Sequence, residues 1–313
     1  MNKIVKYICI GAAIAVGAGI IIALIGRAFS GSVNLETFSV GSTITVTADD
    51  CINEKTELKE FSSLRMDATM IDIEVVKGDK YELEINVPEE FIPEVTEEGG
   101  KLYIKQPKNE NISMNIVNAK LYYKITVPDD DVIDTEIIVT SGDVTVKDVN
   151  LEGMIQQTSG DSNISGVRSG KLVLKATSGS TMIQDAEVDS IEVGRTSGDV
   201  NLRGVKSSSL DIEATSGEIE IDDSDISDVS VEVTSGDVDA ERLTVDNFTV
   251  GGTSAEVDLH LVGNVEDYDF DINTTSGDIE VGGVSSEHSY KTNAGKDKKI
   301  NISTTSGDVE IAF

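Results

Sequence analysis

Four letters, Thr-Ser-Gly-Asp, recur between runs of alternating apolar residues: IIVTSGDVTV at 137–146, VEVTSGDVDA at 231–240 and ISTTSGDVEI at 302–311. Measured on the serine, the copies stand at Ser141, Ser159, Ser178, Ser197, Ser216, Ser235, Ser254, Ser276 and Ser306. The separations are 18, 19, 19, 19, 19, 19, 22 and 30 residues. A fixed period near 20 residues marks a stacked array, and it constrains the fold more than any other feature of the chain.

One unit, SDVSVEVTSGDVDAERLTV at 227–245, shows what is stacked. Val229, Val231 and Val233 alternate with polar residues, the tetrad intervenes, and Val238 and Ala240 alternate again. Period-two alternation marks half-buried strands. Each unit therefore holds two short strands that meet near the Ser-Gly, with one apolar face that it cannot bury alone. Stacking the units as coils gives parallel strands ~4.8 Å apart around a continuous aliphatic core. The fold class expected is all-β, a β-solenoid of stacked coils of about 19 residues.

Glycine in the third slot, absent only at Ala255, permits a bend or a positive φ that a Cβ would resist. The fourth slot carries Asp143, Asp161, Asp199, Glu218, Asp237, Glu256, Asp278 and Asp308, interrupted by Ser180. In-register stacking makes these a column of carboxylates along one edge. Turn chemistry alone explains an Asp there. The alternative is a calcium ladder held by Asp143, Asp161, Asp199, Asp237, Asp278 and Asp308, because like charges one strand apart call for screening or bridging cations.

Acidic residues number 57 against 25 basic ones, a net charge of −32. Such a surface repels nucleic acid, anionic lipid headgroups and acidic wall polymers, and attracts divalent cations and cationic peptides. Aromatic residues make up 4% and Trp is absent, so apolar character comes from Val, Ile and Leu, which suit a pleated sheet. Cys9 and Cys51 do not form a disulfide framework. Cys9 follows Tyr7-Ile8, not the small residues a lipid-acceptor cysteine needs.

Lys3 and Lys6 precede an uncharged run from Tyr7 to Gly26, which Arg27 stops. Twenty residues span ~30 Å as a helix, the thickness of bilayer hydrocarbon. The expectation is a single-pass anchor through residues 7–26, N-terminus cytoplasmic, with the rest outside the cell membrane. Ala28-Phe29-Ser30 keeps a cleaved signal peptide as the alternative. The organisation expected is a stub and transmembrane anchor over 1–32, irregular strand-rich coils or a cap over 33–131, and the regular TSGD solenoid over 132–313. The stretches ITVTADD, MIDIEVV, YELEINV, KLYIKQ and LYYKITVP carry the strand character of the middle segment. Near the end, EHSYKTNAGKDKK (287–299) reads as a loop projecting from the stack, and Phe313 as a ring that closes the core.

LKEFSSLRMDATMIDIEVVKGD, GGKLYIKQ and LYYKITVPDDDVIDTEIIVTSGDVTV, followed by the tetrads, resemble the bacterial putative-adhesin family of β-strand-repeat surface proteins, a domain of unknown function. The resemblance runs from about residue 60 to the C-terminus. It implies a β-solenoid ectodomain, often behind an N-terminal anchor and sometimes linked to envelope stress, and it brings no catalytic residues.

The residues themselves assemble no catalytic constellation. His260 lies between Leu259 and Leu261 on a strand, facing out, and His288 lies in the late loop; neither has metal-ligand spacing. No nucleophile elbow or phosphate-binding glycine loop occurs. DYDFDIN (267–273) mimics the start of an EF-hand, but Ile272 occupies the glycine slot, and Tyr268, Phe270 and Ile272 alternate as in a strand. Residues 207–241 hold twelve acids and no Lys or Arg, which opposes a polysaccharide lyase acting on a uronic-acid polymer. The reading is a non-enzymatic surface module for adhesion or stress sensing, a rod ~40 Å or more long, with an unknown protein, peptide or cell-wall partner. The alternatives are a self-assembling scaffold of the envelope and, least, a carbohydrate-active enzyme.

Overall fold

The computed structural model describes residues 43–107, 113–128, 131–292 and 294–313. The apolar run 7–26 lies outside the described residues. Two sheets carry the fold of the compact unit that spans residues 45–110 and 114–313, one of 13 strands and one of 14. In each tetrad unit the longer strand before the Ser-Gly belongs to the 13-stranded sheet, and the short strand after it to the 14-stranded one. Glu187–Ser197 and Val200–Arg203 are one such pair. The coils are thus two-sided, with both inner faces apolar.

Register makes the core continuous. In the first sheet Ile104, Met66, Ile137, Ile155, Leu174, Val193, Ile212, Val231, Val250, Ile302 and Ile272 stand one above another. None of them is more than 3% exposed. In the second sheet Ile125, Val75, Val146, Ile164, Ile183, Leu202, Ile221, Ala240, Leu259, Ile311 and Val281 form the facing ladder. A β-branched or γ-branched side chain at every level buries roughly 1.5–3 kcal/mol of transfer free energy apiece, so stability accrues coil by coil.

The bend between the two strands explains the glycine. Gly198 has φ 112°, and a Cβ there would lie 1.9 Å from the carbonyl oxygen of Gly179 one coil away. Conformation and space both exclude a side chain. Ala255 escapes because its bend differs: it does not take a positive φ, and its methyl is buried. Room for that methyl comes from Gly252, where an added Cβ would sit 2.9 Å from it. The glycine requirement has moved three residues upstream. The opposite bend, which the tetrads do not mark, carries left-handed residues at Asp148, Gly166, Asp185, Gly204, Asp223 and Arg242.

The spatial order of coils departs from chain order at both ends, which simple sequential stacking does not anticipate. Next to the coil of 133–147 lies the coil of 63–77, and the later segments 101–105 and 122–127 stack outside it. At the other end the last coil, 298–312, lies between the coils of 247–261 and 268–281. The irregular separations of 22 and 30 residues are the trace of that insertion. Antiparallel strands then blunt the sheet edges: Ile52–Glu57, Glu82–Val87 and Glu94–Glu98 at one end, Val284–Ser286 and Ser289–Lys291 at the other. Residues 289–291 are therefore an edge strand, not part of a projecting loop: pairing with 271–273 satisfies backbone that would otherwise be left open.

Aromatic residues gather toward the ends of the stack, with Phe248 fully buried in the coil of 247–261. None occurs between Tyr123 and Phe248. Inside the stack, levels ~4.8 Å apart favour aliphatic side chains. At an end no next coil covers the core, and rings can lie over it. Tyr123 is fully buried in the outermost N-terminal coil and donates its hydroxyl to the carbonyl of Phe91. At the far end Tyr268 lies 6.2 Å from Phe270 and 5.6 Å from Phe313, and Phe270 meets Tyr290 edge-on at 5.7 Å. The coil bearing Tyr268 and Phe270 is outermost, and its rings plug that end. Phe313 contributes from the side and stays 40% exposed.

Candidate functional site

The outward faces carry the charge, and they are not equivalent. On the 14-stranded sheet Glu220, Asp239, Asp258, Glu310 and Glu280 are register partners on five adjacent strands. Two residues earlier, immediately before each of these strands, stand Glu218, Asp237, Glu256, Asp308 and Asp278, the fourth slot of the tetrads. Ten carboxylates thus fill a field about 20 Å by 7 Å at strand spacing, with no basic residue among them. Alternation builds the field: Val238, Ala240 and their counterparts point into the core, so every residue between them faces out.

Electrostatics records the crowding. Burial, then the neighbouring Glu218, Asp258 and Asp237, pushes the Asp239 carboxyl up to about 6. Glu220 is raised by burial first and then by Glu218, Asp222 and Asp199. Oδ1 of Asp258 is buried with no hydrogen-bond partner. Such a face favours ligands that bring positive charge.

The tetrad column also ties coil to coil through the backbone. The carboxylate of Asp143 accepts the backbone N–H of Asp161 at 2.9 Å, Asp161 accepts that of Ser180 at 2.7 Å, and Asp199 that of Glu218 at 3.1 Å. Asp308 accepts the N–H of Asp278 at 2.8 Å, and Asp72 begins the series by accepting that of Asp143 at 2.9 Å. Each bond ties one coil's bend to the next. Asp237 stands in the acidic field beside Asp239. Among the described residues no three side chains of His, Cys, Asp or Glu gather as a metal-binding group.

Other residues singled out from the sequence fall apart in space. His260 is exposed on the outer face beyond Asp258, and His288 lies at the C-terminal edge. Within DYDFDIN, Tyr268–Asn273 is a strand. Its Asp269 accepts the N–H groups of Ala294, Gly295 and Lys296 at 2.7–2.9 Å, and Asp271 pairs with Lys291 at 2.5 Å.

One charged side chain is buried inside the stack. Arg195 is 6% exposed, at a level where the flanking coils carry Ala176 and Ala214 and so leave it room. Its guanidinium donates to the carbonyl of Gly179 and to Oγ1 of Thr181, while Nε has no partner. Burial pulls its pKa down to about 10, against the opposing pull of Asp161 and Asp199. Two coils earlier Gln157, also buried, donates to the carbonyl of Gly142 and accepts from Ser162. The alternation Ile191, Val193, Arg195 does place the arginine inside, but its charge argues the other way.

A solved structure from Parabacteroides distasonis, described as a putative lipid binding protein, superposes with a TM-score of 0.53 at 14% identity, covering 86% of this chain and 100% of that one. A putative adhesin from Bacteroides fragilis gives a TM-score of 0.46 at 16% identity over 85% of this chain and 99% of that one. No curated protein matches the chain. Residues 61–312 match the model of the Toastrack DUF4097 family, and the chain belongs to that family.

Proposed function

We propose that the protein is a membrane-anchored surface module that works by binding, without catalysis, and that its acidic field takes a basic segment of a protein or peptide partner. The observation that carries this reading is the ten-carboxylate face, on which burial first, and then the neighbouring carboxylates, already push Asp239 toward neutrality. A polycation docking there would relieve that repulsion and release counterions. Support for the anchored, extracytoplasmic placement comes from the uncharged run 7–26 behind Lys3 and Lys6. A lipid held inside the solenoid is not the reading, because the interior is filled by its own aliphatic ladders.

The test is calorimetric titration of the chain with an oligolysine peptide at low and at physiological salt, beside the variant Asp237→Asn/Asp239→Asn/Asp258→Asn. The expected result is saturable binding that weakens steeply with salt and falls at least about tenfold in the variant. Equal affinity of variant and parent, or no binding at low salt, would sink the proposal.

A further inference from the structure

The last coil occupies a slot, not an end. On one side Ala255 and Val257 donate to the carbonyls of Ser306 and Asp308, and Lys299 donates to that of Asp246. On the other, Thr304, Gly307 and Val309 donate to the carbonyls of Asn273, Ser276 and Asp278. Ile300, Ile302, Val309 and Ile311 are at most 1% exposed between the two walls. Lys298 fixes the level: it pairs with Asp246 at 3.1 Å and lies 5.4 Å from the ring centre of Tyr268, so it touches both walls.

This arrangement has a consequence for assembly. The coil of 268–281 is made before the coil it must cover. Until residues 298–312 arrive, the coil of 247–261 presents an open parallel edge and an uncovered apolar face. Every ladder position in that edge is met equally well by any copy of 298–312, because recognition is by backbone and repeated aliphatic side chains. At the N-terminal end no such gap arises, since coils can add to either side of 63–77. The covalent tie is also long enough. Six residues separate Lys291 from Lys298, a reach of roughly 24 Å when extended, enough to cross to an abutting molecule. Two contacts among the described residues latch that connection: Asp269 accepts the N–H groups of residues 294–296, and Thr292 exchanges hydrogen bonds with the backbone of Phe270.

We infer that the slot between 247–261 and 268–281 also accepts the 298–312 coil of a second copy of this chain, giving a coil-exchanged dimer. The dimer conserves the contacts of the inserted coil and gives up only those of the connection, so concentration during folding decides which form is made. Once formed, either form persists, because release breaks ladders on both sides of the insert. Crowding on one membrane would favour exchange.

The pair Ser254 and Ser306, exposed and bridged across the slot, supplies the test. Full-length chains in mild detergent, with Cys9 and Cys51 replaced by Ser, carry Ser254→Cys in one preparation and Ser306→Cys in a second, differently tagged one. They are unfolded, mixed, refolded at about 1 and about 100 μM and oxidised; a third chain carries both cysteines. The expected result is a disulfide-linked heterodimer whose yield rises at least about tenfold with refolding concentration, while the double-cysteine chain closes internally when dilute. Internal closure without any heterodimer overturns the exchange. Failure of the double-cysteine chain to close overturns the inserted coil order on which the exchange rests.

Discussion

At the scale of single residues, the glycine column answers to two constraints that act together. Gly198→Ala demands a φ of 112° from an L-residue and brings a methyl to 1.9 Å from a backbone oxygen that cannot move without shifting the next coil. The expected cost is about 2–4 kcal/mol, read from equilibrium denaturation, and no neighbouring side-chain truncation should relieve it. Arg195 makes the complementary case. Thr181→Val removes one of the few acceptors of a buried guanidinium and should cost about 1–3 kcal/mol. Adding Arg195→Leu should recover most of that loss, since an apolar pair of similar volume needs no partners. A double mutant less stable than Thr181→Val alone would show that the arginine contributes net stability. Glycine was legible in the sequence because its role repeats. Arg195 was not, because a charge occurs at that level once, and its fitness depends on Ala176 and Ala214 in neighbouring coils.

At the scale of the element, alternation and the tetrad make the strands, the bend and the parallel register readable in the sequence. The order of the coils was not. Each coil offers the same aliphatic columns to its neighbours, so 268–281 and 298–312 are equally acceptable on top of 247–261 by pattern. What distinguishes them is the ring cluster of Tyr268 and Phe270 on the outermost coil, a feature of the end and not of the repeat. The fourth-slot aspartates show the same limit. Their period implied a column, but whether a carboxylate faces a cation or the N–H of the next coil depends on sub-ångström placement. With Asp143, Asp161, Asp199 and Asp308 already accepting backbone N–H groups, calcium should raise the melting temperature no more than magnesium at equal ionic strength, and a chelator should leave it unchanged. A rise specific to calcium, saturating at several equivalents, would make the ladder a metal site.

At the scale of the whole molecule, a net charge of −32 opposes compaction, and the acidic field concentrates that opposition on one face. Asp239 titrates near 3.9 when unfolded and about 6 when folded, so the folded state binds the proton more tightly. Stability from this group therefore rises as pH falls through 6 toward 4, and is lost again as pH rises through the same window. Glu220, Glu232 and Asp72, all raised chiefly by burial, act in the same direction. Carboxylates held below their usual range act in reverse. Asp269 and Asp271 lie beneath the C-terminal connection, lowered by backbone N–H groups and by Lys291; their contribution is full above the unfolded pKa and disappears as they protonate in stronger acid. The melting temperature should accordingly climb from pH 7.5 to a maximum near pH 5 and then decline, the reverse of the loss expected when carboxylates are mainly salt-bridged. Asp239→Asn removes this charge at every pH. It should melt higher than the parent at pH 7.5 and gain less on acidification, and added salt should narrow the difference between the two proteins at pH 7.5. Equal pH slopes in parent and variant would mean that solvent screens the field fully. The face would then lack the unrelieved repulsion that a basic partner is proposed to relieve.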